Sequence, residues 1–307
     1  MAPGRPLYHR LDPWLERLPW PYRARFSVRR FGEVSIVRMA RDYLGVELMP
    51  VHCFAVGDTL IDTGVAGQGE AITRFARDAG ITRALVTHHH EDHAGNADRL
   101  GREGVAVRAG RATRAILARD LPIRFYQHFL WGKAPSAEVG LLEEAPRVGA
   151  LAAVVVPAPG HCVDQIAFHV PERGWLFSGD AFIHERVKLF RRDEDFAATV
   201  ATLERFLALD FEVLFCAHRP RLTRGKQAIA EKLAWLRDVE GRTRALHAEG
   251  RSEIEIARRV LPRAGALSWI TLGDASPENL VRSILHGPTP RPEVIEATSA
   301  LATPEGA

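Results

Sequence analysis

The chain has 307 residues, 46% hydrophobic and 26% charged, a balance that excludes a disordered or fibrous protein and supplies a sizeable core. With 41 Lys and Arg against 38 Asp and Glu, the net charge of +3 gives no global basis for binding nucleic acid or an anionic membrane. Cys53, Cys162 and Cys216 are too few and too far apart for a disulfide framework; no signal-peptide core or membrane-length apolar run is seen, so a cytoplasmic protein is expected.

Residues 1–25 are rich in Pro, Arg and Trp without a clean period and read as an arm. Phe26 to Phe31 and Val34 to Arg38 are strand-like on either side of Gly32, which predicts a hairpin. Val46 to Met49, Val51 to Val56 and Thr59 to Gly64 continue as strands. The rhythm then changes. Gln68 to Ala79 has the helix period, with Ile72, Phe75, Ala76 and Ala79 on one face. Ala84 to Val86 is a strand, Ala94-Gly95-Asn96 opens a short helix, Val105 to Arg108 is a strand and Arg111 to Ala118 a helix.

Leu121 to Pro135 breaks the pattern, with Phe125, Tyr126, His128, Phe129 and Trp131 set among Pro and Gly. Such an aromatic insertion walls a pocket, packs on the C-terminal helices, or meets a second copy in a homodimer. Ala153 to Pro157 is a strand, and Gln165 to Val170 with Gly174 to Phe177 an antiparallel pair. Asp195 to Leu209 is a helix and Val213 to Cys216 a strand. Hairpins followed by a β/α unit occur twice, which suggests two similar halves face to face. After Thr223 the chain is helical through Gly250; Ser252 and Glu255 form a capping box, and Ser276-Pro277 opens another helix. The Pro-rich stretch from Gly287 reads as a loose tail.

The chemistry concentrates on one strand-to-helix turn, His88-x-His90-x-Asp92-His93. On an extended segment side chains two apart face the same way, so His88 and His90 form a pair. Asp92 and His93, past the turn, reach a neighbouring point. Two imidazoles for one cation, and an imidazole with a carboxylate for a second, suit borderline cations such as zinc. His161 after Pro159-Gly160, Asp180 after Gly179 and His218 after Ala217 each follow a predicted strand, where loops held by a sheet carry chemistry. Singly, His161 or His218 reads as a polar core histidine and Asp180 as a turn residue. Together at successive strand ends they read as one metal centre.

With Asp62 in Ile-Asp-Thr-Gly, the ordered set of His-rich turn, Pro-Gly-His161, Ser-Gly-Asp180 and Ala-His218-Arg-Pro resembles the metallo-β-lactamase superfamily of hydrolases, over about residues 25–225. The resemblance implies an α/β fold: a four-layer αβ/βα sandwich with the site at one edge. It divides the chain into the arm (1–25), a catalytic domain (26–224), a C-terminal helical extension (225–287) and a flexible tail (288–307). It further implies that His88, His90 and His161 hold one metal, that Asp92, His93 and His218 hold another, and that Asp180 bridges them. Asp62 would stand behind the His-rich turn, orienting it without binding metal. Asp180, and His93 after Asp92, look like the glyoxalase II, lactonase and phosphodiesterase branches rather than true β-lactamases. His90 argues against the diiron flavoprotein relatives, which usually carry Glu at one of these positions.

The implied cofactors are two divalent ions, zinc first, with iron or manganese also suited. Ions about 3.5–4 Å apart share a water and supply hydroxide near neutral pH, while Asp92 holds the proton briefly. The implied reaction is hydrolysis of a small ester, thioester or lactone. The alternatives are a mononuclear iron persulfide dioxygenase, using chiefly His88, His161 and Asp180, and a phosphodiesterase, which the small net charge and short helical tail disfavour. The expected partner is a small-molecule substrate, with no nucleic acid and no membrane. His52, Tyr126, Trp131, His184, Lys188 and Arg219 are candidate substrate contacts, though His52 equally reads as a strand residue and His184 as a surface one. Lys188, Arg191 and Arg192 either meet an anionic leaving group or form a solvated face. Cys162 and Cys216 read as small buried residues. Ser252 to Ala257 starts a capped structural helix or, less simply, a helix-turn-helix.

Overall fold

The computed structural model describes residues 21–261 and 270–299. Most of the expected N-terminal arm, and residues 300–307 of the expected tail, lie outside the described residues. The first half of the chain forms a seven-stranded sheet whose spatial order follows the sequence: β1 (Arg23–Phe31), β2 (Val34–Tyr43), β3 (Val46–Val56), β4 (Thr59–Ile61), β5 (Arg83–Val86), β6 (Ala106–Ala109) and β7 (Gly140–Leu141). The first four pair antiparallel and the rest parallel. After the small hairpin of β8 (Arg147–Val148) and β9 (Leu151–Ala152), a four-stranded sheet follows: β10 (Val154–Pro157), β11 (Ile166–Val170), β12 (Trp175–Gly179) and β14 (Val213–Cys216). Its β12 and β14 run parallel. A separate short pair joins β13 (Phe190–Arg191) to β15 (Ala275–Ser276).

Alternation along the strands sorts side chains into layers, because neighbours on a strand point to opposite faces. In β2, Val34 and Ile36 face inward, and Phe54 of β3 and Leu85 of β5 join them against Phe168, Phe177 and Phe215 of the second sheet. Phe177 and Phe215 stack with centroids 4.7 Å apart, and Phe54 lies 5.1 Å from Phe215. The alternate residues Val37, Met39 and Leu60 face outward onto Ile72 and Ala76 of α1 (Gly69–Asp78) and Leu100 of α2 (Ala97–Arg102). Past α3 (Arg111–Leu117) and α4 (Phe125–Leu130), the outer face of the second sheet presents Ala167, Leu176 and Leu214. These meet Leu203 and Phe206 of α5 (Phe196–Leu207) and Ile229, Leu233 and Leu236 of α6 (Gly225–Ala248). The result is the four-layer αβ/βα sandwich that the motif pattern implied.

The helices after residue 225 share the core of that second outer layer. Ile256 and Val260 of α7 (Glu253–Val260) and Leu280, Val281 and Ile284 of α8 (Pro277–His286) join the cluster under α5 and α6. The Ser252–Glu255 capping box opens α7. Its Ile256, Ala257 and Val260 are buried, so the helix packs as a structural element and its apolar face is spent on the core.

Three sequence expectations change. Arg23 to Arg25 belong to β1 rather than to an arm, paired with Asp42, Arg41 and Ala40. The aromatic insertion contains a helix, α4, and packs against the end of β2. Arg41 donates to the carbonyls of His128 and Phe129 at 2.8 and 2.9 Å, and Tyr43 stacks on Phe129 at 4.3 Å. The described part of the expected flexible tail is docked: α9 (Pro292–Ser299) buries Val294 and Ala297 against Ile116 of α3. Proline suggested looseness, yet Pro292 stands at the first helical position, where its missing N–H costs nothing. Among the described residues no helix is long and apolar enough to cross a membrane.

The docked α9 makes a stability prediction. Val294→Asp, which buries a charge against Ile116, should destabilise the protein by about 2 kcal/mol or more and lower Tm by several degrees. Ile295→Asp, on the half-exposed face of the same helix, should leave Tm nearly unchanged in the same calorimetric scan.

Candidate metal centre

Each candidate donor sits on a loop just past a strand end, at one edge of the sandwich. Asp62 follows β4, the His-rich turn follows β5, His161 follows β10, Asp180 follows β12 and His218 follows β14. Because β4 and β5 run parallel, as do β12 and β14, the loops leaving each pair emerge together. Asp62 adopts a left-handed backbone with φ of 60°, a conformation that Asp tolerates better than most residues. Gly95 closes the turn: a Cβ there would stand 2.2 Å from the Glu91 carbonyl oxygen and 2.5 Å from the Ala66 nitrogen.

Two groups of donors result. His88, His90 and His161 form one; Asp92, His93, Asp180 and His218 form the other, with the donor atoms of each group within 4.8 Å of one another. In the first, His90 Nδ1 lies 2.9 Å from His88 Nε2 and 3.0 Å from His161 Nε2. Asp180 reaches both groups. Its Oδ1 is 3.3 Å from His93 Nε2, and its Oδ2 is 3.2 Å from His218 Nε2 and 3.5 Å from His161 Nε2. His218 Nε2 is also 3.3 Å from Asp92 Oδ2.

The outer ring nitrogens are held in turn. His93 Nδ1 donates to Asp62 Oδ2 at 2.7 Å, and Asp62 also accepts from the Thr87 N–H at 2.8 Å. His218 Nδ1 donates to the Pro50 carbonyl at 2.9 Å. A proton fixed on the outer nitrogen leaves the inner Nε2 with its lone pair for a cation. The Thr87 hydroxyl lies 3.0 Å from His88 Nδ1. His90 and His161 differ: the outer Nε2 of His90 lies 3.1 Å from Arg191 Nη1, and His161 Nδ1 is buried without a hydrogen-bond partner, 3.5 Å from Glu194 Oε1. Asp92 Oδ2, His93 Nε2 and Asp180 Oδ1 are buried without a hydrogen-bond partner. Buried polar atoms left so cost about 1–3 kcal/mol each; gathered at one point, they fit divalent cations.

Charge follows the same division. Burial, with the neighbouring imidazoles, drives His88 well below the usual histidine range; burial and then Arg191 do the same to His90. Burial pulls hardest on His93 and His218, but the surrounding carboxylates, Asp180 foremost with Asp62 and Asp92 beside His93 and Asp92 beside His218, together hold both well above that range. Burial would raise Asp180, yet His218 and His93 hold it well below the usual carboxylate range. The buried acid and these two imidazoles thus favour one another's charged forms, a balance that a bound cation would supply instead.

The family model described as the metallo-beta-lactamase superfamily matches residues 47–218. The chain belongs to that superfamily. Hydroxyacylglutathione hydrolase of Cereibacter sphaeroides (strain ATCC 17023) is 29% identical over 172 residues, covering 54% of this chain and 59% of that protein. The protein of the same name from Legionella pneumophila (strain Lens) is 27% identical over 167 residues, covering 52% and 57%. The chain therefore spans under two thirds of the length of these curated relatives. The solved structure of a metallo-beta-lactamase from Pontibacter korlensis superposes with a TM-score of 0.55 at 18% identity, covering 69% of this chain and 99% of that one. This likeness is one of fold. All the motif residues from Asp62 to His218 fall inside the matched segment, and α6 to α9 fall outside it.

Over the superfamily motifs opens a cavity of about 330 Å³, with His90, Asp92, His161, Asp180 and His218 on its floor. Tyr126, Trp131, His184 and Lys188 line it, as the sequence suggested. His52 and Arg219 do not. Alternation puts His52 on the same face of β3 as Phe54, between the sheets, where its Nδ1 lies 2.7 Å from the Ala217 carbonyl beside His218. Arg219 is exposed and outside the lining, as is Arg192. Cys162 and Cys216 are free and buried.

Arg191 is neither a solvated residue nor a free anion receptor. It is buried against His90, with Nε 3.4 Å from Asp193 Oδ1. Arg291 contacts Asp193 at 2.8 Å and Asp274 at 3.1 Å, and the Tyr126 hydroxyl donates to Asp274 at 2.8 Å. A buried line of charges thus runs from the C-terminal segment to the back of the His-rich turn. Sequence reasoning also missed Lys232, whose Nζ donates to the carbonyls of Ala181 and Phe182 at 3.0 and 2.7 Å, just past Asp180. Burial pulls its ammonium down to about 8. The available signal was a lysine on the apolar stripe of α6, between Ile229 and Leu236.

Two outcomes are expected. Asp62→Ala should weaken metal affinity about 10- to 100-fold by chelator competition, since the imidazole it orients is then free to turn. Burial lowers His52 to about 4, so the unfolded chain takes up a proton below about pH 6.5 that the folded protein refuses. Wild type should therefore lose stability relative to His52→Gln as pH falls from about 6.5 to 4, by up to about 3 kcal/mol in urea denaturation.

Proposed function

We propose that the protein is a metal-dependent hydrolase that cleaves a small ester, thioester or lactone. The observation that carries this reading is the Asp180 carboxylate, within 3.5 Å of imidazoles from both donor groups. In this reading His88, His90 and His161 hold one divalent ion, Asp92, His93 and His218 hold a second, and Asp180 bridges them. The donor set of five imidazoles and two carboxylates suits zinc, with iron and manganese also accommodated. When bound, such ions make hydroxide available at neutral pH and polarise a carbonyl.

The chain's own residues supply the rest. Water oxygen bonds to the carbonyl carbon, the C–O or C–S bond breaks, and the leaving alcohol or thiol departs with a proton. In this reading the Asp92 carboxylate carries that proton between the two steps. Asp62 and the Pro50 carbonyl orient His93 and His218. The cavity walls seat the acyl group and keep bulk water away. The name hydroxyacylglutathione hydrolase, carried by relatives at 27–29% identity, supports thioesters within this range.

The test is a screen of thioesters, lactones, aryl esters and bis-p-nitrophenyl phosphate, with metal analysis of protein purified without chelator. Ester or thioester turnover is expected, and Asp180→Ala should lower kcat/KM by at least about 100-fold while reducing metal content. Metal far below one ion per chain, with no activity gained on adding zinc, manganese or iron, would sink the reading. Oxygen uptake with a persulfide would move it to the dioxygenase.

A further inference from the structure

The cavity above the donors is small for a ligand site, which commonly spans roughly 300–1,000 Å³, and its walls are apolar. Leu130 and Trp131 come from the insertion, and Ile183, Val187, Leu189 and Phe190 from the segment after β12. The buried cations of the lining are already engaged: Lys232 donates to two carbonyls, and Arg191 lies against Asp193 and His90. Along the segment after β12 the pattern alternates: Val187 and Phe190 are buried, while Arg186 and Lys188 line the same cavity but are exposed at its rim. The carboxylate of this segment, Glu185, is engaged by Arg221. Arg219, Arg221 and Lys188 surround His184 and lower it beyond what burial does, against the opposing Glu185 carboxylate. A small polar acyl group would leave most of these walls uncovered, and water would have to be kept against Leu, Ile, Val and Phe side chains.

We infer that the substrate joins an apolar acyl group of medium length to an anionic carrier, the acyl chain filling the chamber and the carrier lying on Arg186 and Lys188. This rests on the hydrolase reading for the position of the scissile carbonyl, at the donors on the floor. Two anionic carriers share the required chemistry, one bearing phosphates and one bearing carboxylates.

Binding reads the chamber without turnover. In calorimetry on the metal-loaded full chain, S-octyl-coenzyme A should bind at least 100-fold tighter than S-methyl-coenzyme A, since each buried methylene contributes about fourfold. It should also bind at least about tenfold tighter than the neutral S-octyl-N-acetylcysteamine, an advantage that shrinks as salt rises. Comparison with S-octylglutathione assigns the carrier as phosphate- or carboxylate-bearing. Leu189→Trp should narrow the octyl-to-methyl ratio at least tenfold, and Arg186→Glu with Lys188→Glu should narrow the anionic-to-neutral ratio. Equal binding of octyl and methyl probes, or an octyl preference untouched by Leu189→Trp, overturns the chamber; equal binding of anionic and neutral octyl probes overturns the rim. Octyl selectivity with no hydrolysis of any acyl ester or thioester would keep the inference and sink the hydrolase reading. Hydrolysis with no chain-length preference in binding or kcat/KM would do the reverse.

Discussion

A buried carboxylate wedged between imidazoles of two groups is the contact on which the site depends. Asp180 touches His161 on one side and His93 and His218 on the other. Removing such a charge from water costs several kcal/mol, which only close opposite charges or cations offset. Those partners come from both sheets: His93 leaves β5 of the first, whereas Asp180, His161 and His218 leave strands of the second. The site therefore exists only when the two sheets meet in register. That register is set by the aromatic layer of Phe54, Phe177 and Phe215 between them. Packing in the core and chemistry at the edge are two ends of one arrangement.

Behind the donors lies a second tier that is as buried as the first. Asp62 takes the Thr87 N–H, the Thr87 hydroxyl and the His93 ring, so one carboxylate fixes both the start and the end of the His-rich turn. On the opposite side His90 backs onto Arg191, which is tied through Asp193 to Arg291 near the C-terminus. The segment after Gly287 thus braces the motif turn as well as covering α3. Gln127, from the aromatic insertion, bonds to Glu91 within the turn itself. Of these braces only Arg291 lies outside the superfamily match, and it reaches the turn through Asp193 and Arg191.

The floor of the cavity and its walls answer to different pressures. The floor must gather lone pairs and negative charge at one point, which here His and Asp residues supply. The walls need only shape and apolarity, and they are drawn from the insertion and from the segment after β12. Activity class follows the floor, while substrate preference follows the walls, which is why superfamily membership leaves the substrate open.

Sequence by itself picked out most of the longer elements and the His and Asp residues that the structure gathers at one point. Period-two and period-3.6 patterns placed the strands and helices within a few residues, because burial of one face is a local constraint. The H-x-H-x-D-H turn, Asp62, His161, Asp180 and His218 were legible because each stands at a strand end beside a turn-forming residue. Only the tertiary structure decided which charges meet. Arg191, read as a solvated or anion-binding residue, is buried on His90; His52, a candidate pocket residue, points between the sheets; and the described part of the Pro-rich tail is docked. Arg291 and Asp193, or Tyr126 and Asp274, leave no periodic trace in the chain. Their partners lie scores of residues away, and a lone charge or hydroxyl looks the same in sequence whether it ends in water or in a buried pair.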